Sequence, residues 1–381
     1  MILDLTEEEE LVRKTARDFA EKELKPRAAE IDRRGEVPRA ILNQLAELGF
    51  MGIITPETYG GAGLSNLCLA LIQIEVNRAC ASTGVTISVH NSLCQSPINR
   101  FGTEEQKRRY LPKLTQCEWI GAYSLSEPVS GSDAGALIST AVRDGKHFVL
   151  NGTKNFVTNG GIADLFVVFA RSGRDLSVKH AAISAFLVEK GTKGLVVGKH
   201  ETKMGIRGSS TTSLFFEDCR IPAENLLGVD GEGFKVAMHT LDGGRIGIAS
   251  QAVGIATACL EESVKYSKER QQFGVAISSF EAIQWKLAEM ATNIDAATLL
   301  VHRAARLRDA GRPHTKEAAE AKLFASRIAN DAANEAIQIH GGVGYVKDFP
   351  VERFFRDAKI TEIYEGTSEI QRIVVSRALL K

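Results

Sequence analysis

No apolar stretch in the 381 residues approaches the roughly 20 needed to cross a bilayer, so insertion into a membrane is not expected. Charge of neither sign prevails, with 47 Lys+Arg against 47 Asp+Glu. That balance removes the electrostatic reason to expect nucleic acid or an acidic membrane as the main partner. Cysteine is sparse: Cys68, Cys80, Cys94, Cys117, Cys219 and Cys259 are scattered and form no Cys-x-x-Cys. They are too few for a disulfide framework and read as small buried hydrophobes in a reducing compartment. The start, MILDLTEEEELVRK, has neither a basic region nor an apolar core. No targeting segment is visible there, so a bacterial cytoplasmic location is expected, with a processed protein of the mitochondrial matrix as second choice.

Several kinds of machinery are missing as well. There is no Gly-x-Gly-x-x-Gly and no Walker-type loop, which argues against a dinucleotide-binding βαβ unit or a P-loop. Neither His-Glu-x-x-His nor paired-Cys spacing occurs, the eight histidines are dispersed, and no metal is expected. A Gly-x-Ser-x-Gly elbow is absent too.

What is present is a 44% hydrophobic, 25% charged chain, ordinary for a globular enzyme of two or three domains. Residues 1–118 carry helical periodicity, with a possible Thr6–Glu9 capping box, an end at Pro26, and further helices over 38–48, 68–80 and 103–114. Residues 119–228 change texture. Short β-prone runs such as Leu165–Phe169, Ala185–Val188 and Ser213–Phe216 are divided by turns, without helices between them. This pattern predicts an antiparallel sheet or small barrel. Residues 229–381 return to long Ala-, Leu-, Glu-, Lys- and Arg-rich helices, 251–268, 281–310, 315–340 and 367–380, as in a helix bundle. The fold class is mostly α with a central β domain.

Four segments carry chemistry. Tyr123–Asp133 (YSLSEPVSGSD) combines hydroxyls, glycines and a proline in a loop suited to a heteroaromatic edge or a phosphate; an ordinary Ser-rich turn has the same composition. Lys154–Gly161 carries Phe156 and Thr158 into a glycine turn, where the aromatic could flank a ring or fill the core. Glu269–Gly274 (ERQQFG) breaks two helices, and Arg270 there either pairs with a phosphate or is merely solvated. In Arg356–Ser368, the Ser368–Gln371 spacing of a capping box predicts a helix from 367 or 368. Glu365 then sits in the turn before that helix among Ile363, Tyr364 and Ile370. Desolvation there would raise its pKa toward that of a general base; a Glu complementing the helix dipole fits the same position.

Together with KMGIRGSSTTSLFFEDCRIP, QIHGGVGY and RDAKITEIYEGTSEIQR, these segments resemble the acyl-CoA dehydrogenase family from residue 3 to 380, most closely its short-chain, butyryl-CoA-like branch. The resemblance implies an N-terminal helical domain, a middle β domain and a C-terminal four-helix domain, usually in a homotetramer with one FAD per subunit. It places Tyr123, Leu125, Ser126, Gly131, Ser132, Phe156 and Thr158 around the flavin, with Ser126 and Thr158 as hydrogen-bonding partners. Arg270, Phe273, Gln338, Gly341 and Gly342 match positions that bind the dinucleotide across a subunit interface, and Thr367 and Glu369 lie near the adenosine phosphates. Ser132, Asp242, Arg245 and Gly366 match the acyl-CoA site.

The implied reaction is removal of the α-proton of an acyl-CoA by Glu365, with hydride passing to flavin N5. The product is a 2-enoyl-CoA, and the electrons go on to electron-transferring flavoprotein. The backbone N–H of Glu365 and a ribityl hydroxyl would polarise the thioester carbonyl. Long-chain and isovaleryl members carry the base at the position that here is Gly244, which cannot serve. Two departures stand out: Phe156 where tryptophan is usual, and Glu281 where glutamine is usual. The acyl group is expected to be short, branched or alicyclic. The alternatives are an acyl-CoA oxidase using oxygen and a non-catalytic nucleic-acid-binding relative, which needs a basic surface and has no use for Glu365.

Overall fold

The structure is a computed structural model that describes residues 4–172 and 182–381; the first three residues of the acidic start lie outside the described residues. The first helix, α1 (Glu7–Phe19), starts where the Thr6 hydroxyl accepts from the Glu9 amide at 3.3 Å while the Glu9 carboxylate accepts from the Thr6 amide at 2.9 Å. The helical path does not stop at Pro26. It passes through a π turn at Ala20–Leu24 and a 3-10 turn at Lys25–Arg27 into α2 (Ala28–Arg34). Pro26 falls in the first turn of the 3-10 segment, where a missing N–H costs nothing. Then follow α3 (Arg39–Glu47), α4 (Asn66–Ala79), α5 (Ala81–Ser88), a π-helical stretch Val89–Gln95, α6 (Ser96–Phe101) and α7 (Glu104–Thr115).

The middle region is a single eight-stranded sheet: β1 (Gly121–Ser124), β2 (Thr140–Asp144), β3 (His147–Thr158), β4 (Leu165–Arg171), β5 (Ile183–Glu189), β6 (Leu195–His200), β7 (Thr211–Pro222) and β8 (Leu226–Leu227). Its order is β6-β7-β3-β2-β4-β5-β8, with β1 also on β4. The pure antiparallel sheet expected from the turns needs correction. β1 runs parallel to β4, Gly121–Ser124 beside Leu165–Val168, and β2 meets β4 in a parallel bridge at Arg171. The reason is that β1 does not follow a hairpin turn. It arrives from α7, and the Asp164 carboxylate accepts from the Ile120 amide at 2.9 Å to set it beside β4. The strands β4 and β5 are buried along nearly their whole length, as an apolar run without alternation requires.

The last region is built on α8 (Gly233–Glu269), 37 residues long. A hairpin β9 (Gln271–Gln272) and β10 (Val275–Ala276) follows, then α9 (Glu281–Asp309), α10 (Thr315–His340), α11 (Val351–Lys359) and α12 (Ser368–Leu379). Periodicity caught only the second half of α8, because glycines at 243, 244 and 247 weaken helical propensity in the first. They belong to the helix because other groups press against it. A Cβ on Gly254 would lie 2.4 Å from the Ile74 carbonyl oxygen and 2.9 Å from the Arg78 amide nitrogen; one on Gly247 would lie 2.7 Å from Ser88 Oγ. Thus α4 and α5 pack on α8 at backbone distance, and α10 and α9 cover its other sides. All six cysteines are unpaired and buried. No helix of the described residues is long and apolar enough to cross a membrane.

Alanine normally stabilises a helix interior relative to glycine by about 1 kcal/mol. For Gly254→Ala the backbone collision with α4 outweighs that gain, and a net loss of about 2 kcal/mol is expected. A thermal midpoint at or above that of the unaltered chain would show that α4 and α8 separate freely.

Candidate active site

After α11 and a 3-10 turn (Ile360–Glu362), the chain has to reverse into α12. It does so through two consecutive left-handed residues, Glu365 at φ +53° and Gly366 at φ +93°. Glycine adopts this freely, but a glutamate there costs about 1–2 kcal/mol. Helix α12 begins at Ser368, as expected, yet its cap is not the Ser368–Gln371 pair. Thr367 is the N-cap and its hydroxyl accepts from the Ile370 amide at 3.4 Å. Gln371 instead turns back and donates to the carbonyls of Gly366 (2.8 Å) and Glu365 (3.3 Å). From α10, the fully buried Lys322 ammonium donates to the same Gly366 carbonyl at 2.5 Å.

The turn aims the Glu365 side chain inward, where Oε2 is sealed and accepts no hydrogen bond. It lies against Gly244 of α8: a Cβ there would be 1.9 Å from Oε2 and 2.9 Å from Leu93 of the π-helical stretch. Gly244 is therefore the space the carboxylate occupies. Burial pushes the Glu365 pKa up to about 7, while the charges of Lys322 and Arg245 pull the other way. Lys322 is itself lowered to about 8 by burial. The Glu365 backbone N–H donates to no group among the described residues.

Arg245, on the next position of α8, donates to Asp242 at 2.6 Å, and Asp242 also accepts from the Thr315 hydroxyl at 2.6 Å. Arg245 keeps a buried Nε without a partner. Tyr123 turns its ring onto Phe169, with centroids 5.0 Å apart, and leaves a buried hydroxyl unpaired; Tyr364 donates to Gln251. Burial first, and then the Glu365 charge, raise both phenols well above their ordinary value. So Glu365, Gly366, Asp242, Arg245 and Tyr123 are brought together.

A second group forms a ledge. The backbone amide of Asn155 donates to Ser126 at 2.9 Å, which ties the Tyr123–Asp133 loop to β3. The β3–β7 register slips between Lys154 and Val157, and in that bulge Phe156 takes φ +54° and is 69% exposed. It is not a core residue. The hydroxyls of Ser126, Thr158 and Ser132 have no partner among the described residues, and a Cβ on Gly131 would meet nothing within 4 Å. Free short donors, an outward aromatic and open space over Gly131 fit the edge and face of a flat heteroaromatic ring.

Beneath the ledge sits a buried ion pair that motif inspection missed. Lys154, fully buried, donates to the Glu127 carboxylate at 2.7 Å and to the Leu125 carbonyl at 3.1 Å. The same carboxylate accepts from the Ile138 and Ser139 amides at 2.6 and 3.1 Å. Burial lowers the Lys154 pKa to about 8 against the pull of Glu127. A lysine alternating with apolar positions in a strand was the signal available.

A third group is not brought to Glu365. Arg270 ends α8, and Phe273 with Gly274 makes the turn of the β9–β10 hairpin at φ +53° and +82°, the left-handed pair such a two-residue loop demands. Phe273 is 94% exposed. Tyr266 stacks on His340 at 4.3 Å, which sets Arg270 at the same end of the bundle as the exposed Gln338, Gly341 and Gly342. Arg245 and Arg270 are 25 positions apart along α8, roughly 37 Å at helical rise. Thr367 and Glu369 line a separate groove of about 760 Å³ with Phe324, Arg327 and Arg372. Glu281 is exposed at the first position of α9, where its charge suits the helix dipole.

Family models of the acyl-CoA dehydrogenase N-terminal, middle and C-terminal domains match residues 6–118, 122–219 and 231–380. The short-chain specific acyl-CoA dehydrogenase of Clostridium acetobutylicum is 51% identical over the whole of both chains. The structure of butyryl-CoA dehydrogenase from Megasphaera elsdenii superposes with a TM-score of 0.97 at 45% identity, covering all of both chains. So does a chain from work on the electron transferring flavoprotein of Acidaminococcus fermentans, with a TM-score of 0.98 at 50% identity.

Removing one partner of a buried ion pair leaves the other uncompensated, so Lys154→Met should destabilise the fold by about 3–5 kcal/mol. Denaturant unfolding measures this, and a loss below about 1 kcal/mol would mean that Glu127 is satisfied by its amide donors alone.

Proposed function

The chain belongs to the acyl-CoA dehydrogenase family, and from that premise we propose that it oxidises a short-chain acyl-CoA at Cα–Cβ with Glu365 as the base. The family is FAD-dependent. When bound, FAD supplies a two-electron hydride acceptor. Ser126, Thr158, Ser132, Leu125, Gly131, Phe156 and Tyr123 would hold the ring, and their unpaired hydroxyls and open ledge support that assignment.

One observation carries the reading: a carboxylate whose buried Oε2 accepts no hydrogen bond, next to a backbone N–H that donates to no group among the described residues. An unpartnered carboxylate is a strong proton acceptor once ionised, and a pKa of about 7 places that ionisation in the working range. The Glu365 N–H lies beside it to receive the charge that grows on the thioester oxygen as the α-proton leaves. Arg245, held by Asp242, offers a spare donor for the CoA portion. Gly244 and Gly247 bring α8 against Leu93 and Ser88, which limits the depth beyond the base and favours a short acyl group. The short-chain relative and the butyryl-CoA dehydrogenase structure support the same choice.

Arg270, Phe273, Gln338, Gly341 and Gly342 would bind the same dinucleotide from a neighbouring subunit, because no single chain brings them to the ledge. The proposal therefore includes a homotetramer, the assembly usual in this family. Electron-transferring flavoprotein is the proposed acceptor, supported by the similarity to the chain from work on such a flavoprotein. The full-length bacterial relative favours work in the cytoplasm.

Anaerobic bleaching of the FAD-loaded protein, across linear, branched and alicyclic acyl-CoAs, tests substrate and base together. A four-carbon linear acyl-CoA should bleach fastest. The rate should climb with pH through about 7, since the base acts only when ionised, and fall roughly tenfold per unit below it. Glu365→Gln should keep FAD and lose at least about 10³-fold in rate; substantial bleaching by that variant would assign the base elsewhere.

A further inference from the structure

We infer that Lys322 and Gln371 together are positioning residues for the base: by gripping the carbonyls of Glu365 and Gly366 they hold the left-handed turn that presents carboxylate and N–H side by side. The inference rests on Glu365 being the base, and gives a role to Lys322, which lies in none of the motifs, and to Gln371, which the sequence offered only as a helix cap.

The geometry is specific. Three hydrogen bonds end on two successive carbonyls: Lys322 Nζ to Gly366 at 2.5 Å, Gln371 Nε2 to Gly366 at 2.8 Å and to Glu365 at 3.3 Å. Both donors are fully buried, from α10 and from α12. There is no slack, since a Cβ on Gly366 would lie 2.6 Å from Gln371 Nε2. Two successive left-handed residues form a conformation that a free chain abandons. Donors converging on their carbonyls are what make it the folded one. Lys322 interrupts an alanine-rich face, Ala318, Ala321, Ala325 and Ala329, all buried. A lysine is expensive there unless its charge has a use.

The choice of acceptor matters as much as the grip. Lys322 hydrogen-bonds a carbonyl of the turn and not the Glu365 carboxylate, so Oε2 keeps its lone pairs for a substrate proton. Its charge still acts through space on the ionised base. The groups facing Glu365 are Lys322 from α10, Arg245 from α8, Tyr123 from β1 and the adjoining Tyr364; Leu93 faces it with apolar atoms only. Lys322 in turn feels Glu365, Arg245, Glu362 and Glu369. Of the two cations on the base, Arg245 is already engaged with Asp242. Losing Lys322 therefore removes the cation without a carboxylate partner of its own.

The two residues should separate in a test on the FAD-loaded enzyme, following anaerobic flavin reduction by butyryl-CoA as a function of pH. Lys322→Met should slow the limiting rate at least tenfold and move the acid limb upward by at least half a pH unit, because the ionised base loses a stabilising charge. Lys322→Arg should restore the position of the limb. Gln371→Leu, which removes a donor but no charge, should slow the rate at least tenfold with the limb in place. A limb unmoved in Lys322→Met, or Gln371→Leu at the unaltered rate, overturns the inference. If Lys322→Met fails to fold or to hold FAD, Gln371→Leu and Lys322→Arg decide it by the same criteria. Glu365→Gln, run alongside, reports on the base itself: full reduction there would remove that assignment, whereas a dead Glu365→Gln beside unaffected Lys322 and Gln371 variants would leave the base and reject its holders.

Discussion

A half-buried glutamate whose Oε2 is sealed from water without a hydrogen bond is the constraint on which the rest of this molecule turns. Left alone, such a group would swing to solvent or recruit a donor, because desolvation without compensation costs several kcal/mol. Glu365 can do neither. Its backbone is pinned at φ +53°, and its Oε2 sits in the space left by the missing side chain of Gly244. Helix α8 supplies that volume, α10 and α12 supply the pins, and the π-helical stretch closes the far wall with Leu93. Four elements distant in sequence thus combine to hold this carboxylate where burial raises its pKa to about 7.

The length of α8 links that site to quaternary structure. One rigid helix carries Gly244 and Arg245 near its start and delivers Arg270 beyond its end, on a hairpin whose Phe273 is almost wholly exposed. A soluble fold rarely strands a bare phenylalanine on a tight turn unless another surface covers it. The same end bears the open glycines 341 and 342, with nothing within 4 Å of where a Cβ would sit. Under the proposed function, the groups the ledge needs from a second copy are those displayed at the opposite end of the longest helix, an arrangement that a closed symmetric oligomer would resolve.

Much of this was legible in the residues, and what was not has identifiable causes. The helical, β and helical textures emerged from period alone, since burial of one face imposes it. The turn before α12 and the ERQQFG break were readable because caps and left-handed turns demand particular residues. Three features were not readable. The parallel placement of β1 depends on Asp164, a long-range contact with no local trace. The first half of α8 is concealed by glycines that tertiary packing, not propensity, makes helical. The composition around Phe156 fits a ring neighbour or a core residue equally, and the bulge in β3 that turns it outward has no local signature. Lys322 and Gln371 did leave a trace, a long polar side chain on a face of alanines and a glutamine at capping-box spacing. That trace was ambiguous, because a cap and a clamp use the same residue at the same offset.

The π-helical stretch shows how the two kinds of burial, structural and chemical, are kept apart. Its polar side chains are almost all buried, yet nearly every one is satisfied. Asn91 accepts from the Ile53 amide and donates to the Phe50 carbonyl, Gln95 donates to Met51 and accepts from Thr55, and His90 bridges Gly121 and Leu114. The Gly121 amide can only donate, so His90 carries its proton on Nε2 and gives it to Leu114. Burial lowers the pKa of this ring to about 4, so it is neutral throughout the range in which Glu365 changes charge. The join between the N-terminal helices and β1 is thus indifferent to pH around neutrality. Leu93, in the same stretch, contributes no polar atom to the wall beside Glu365. An extra residue per turn in a π helix shifts side chains around the axis. Here that lets one short segment face the 50–55 loop, the end of α7 and the start of β1 with amides and imidazole and still turn an apolar side chain to Glu365. Had the wall carried an amide donor free to reach it, the carboxylate would have found its hydrogen bond, and with it a lower pKa.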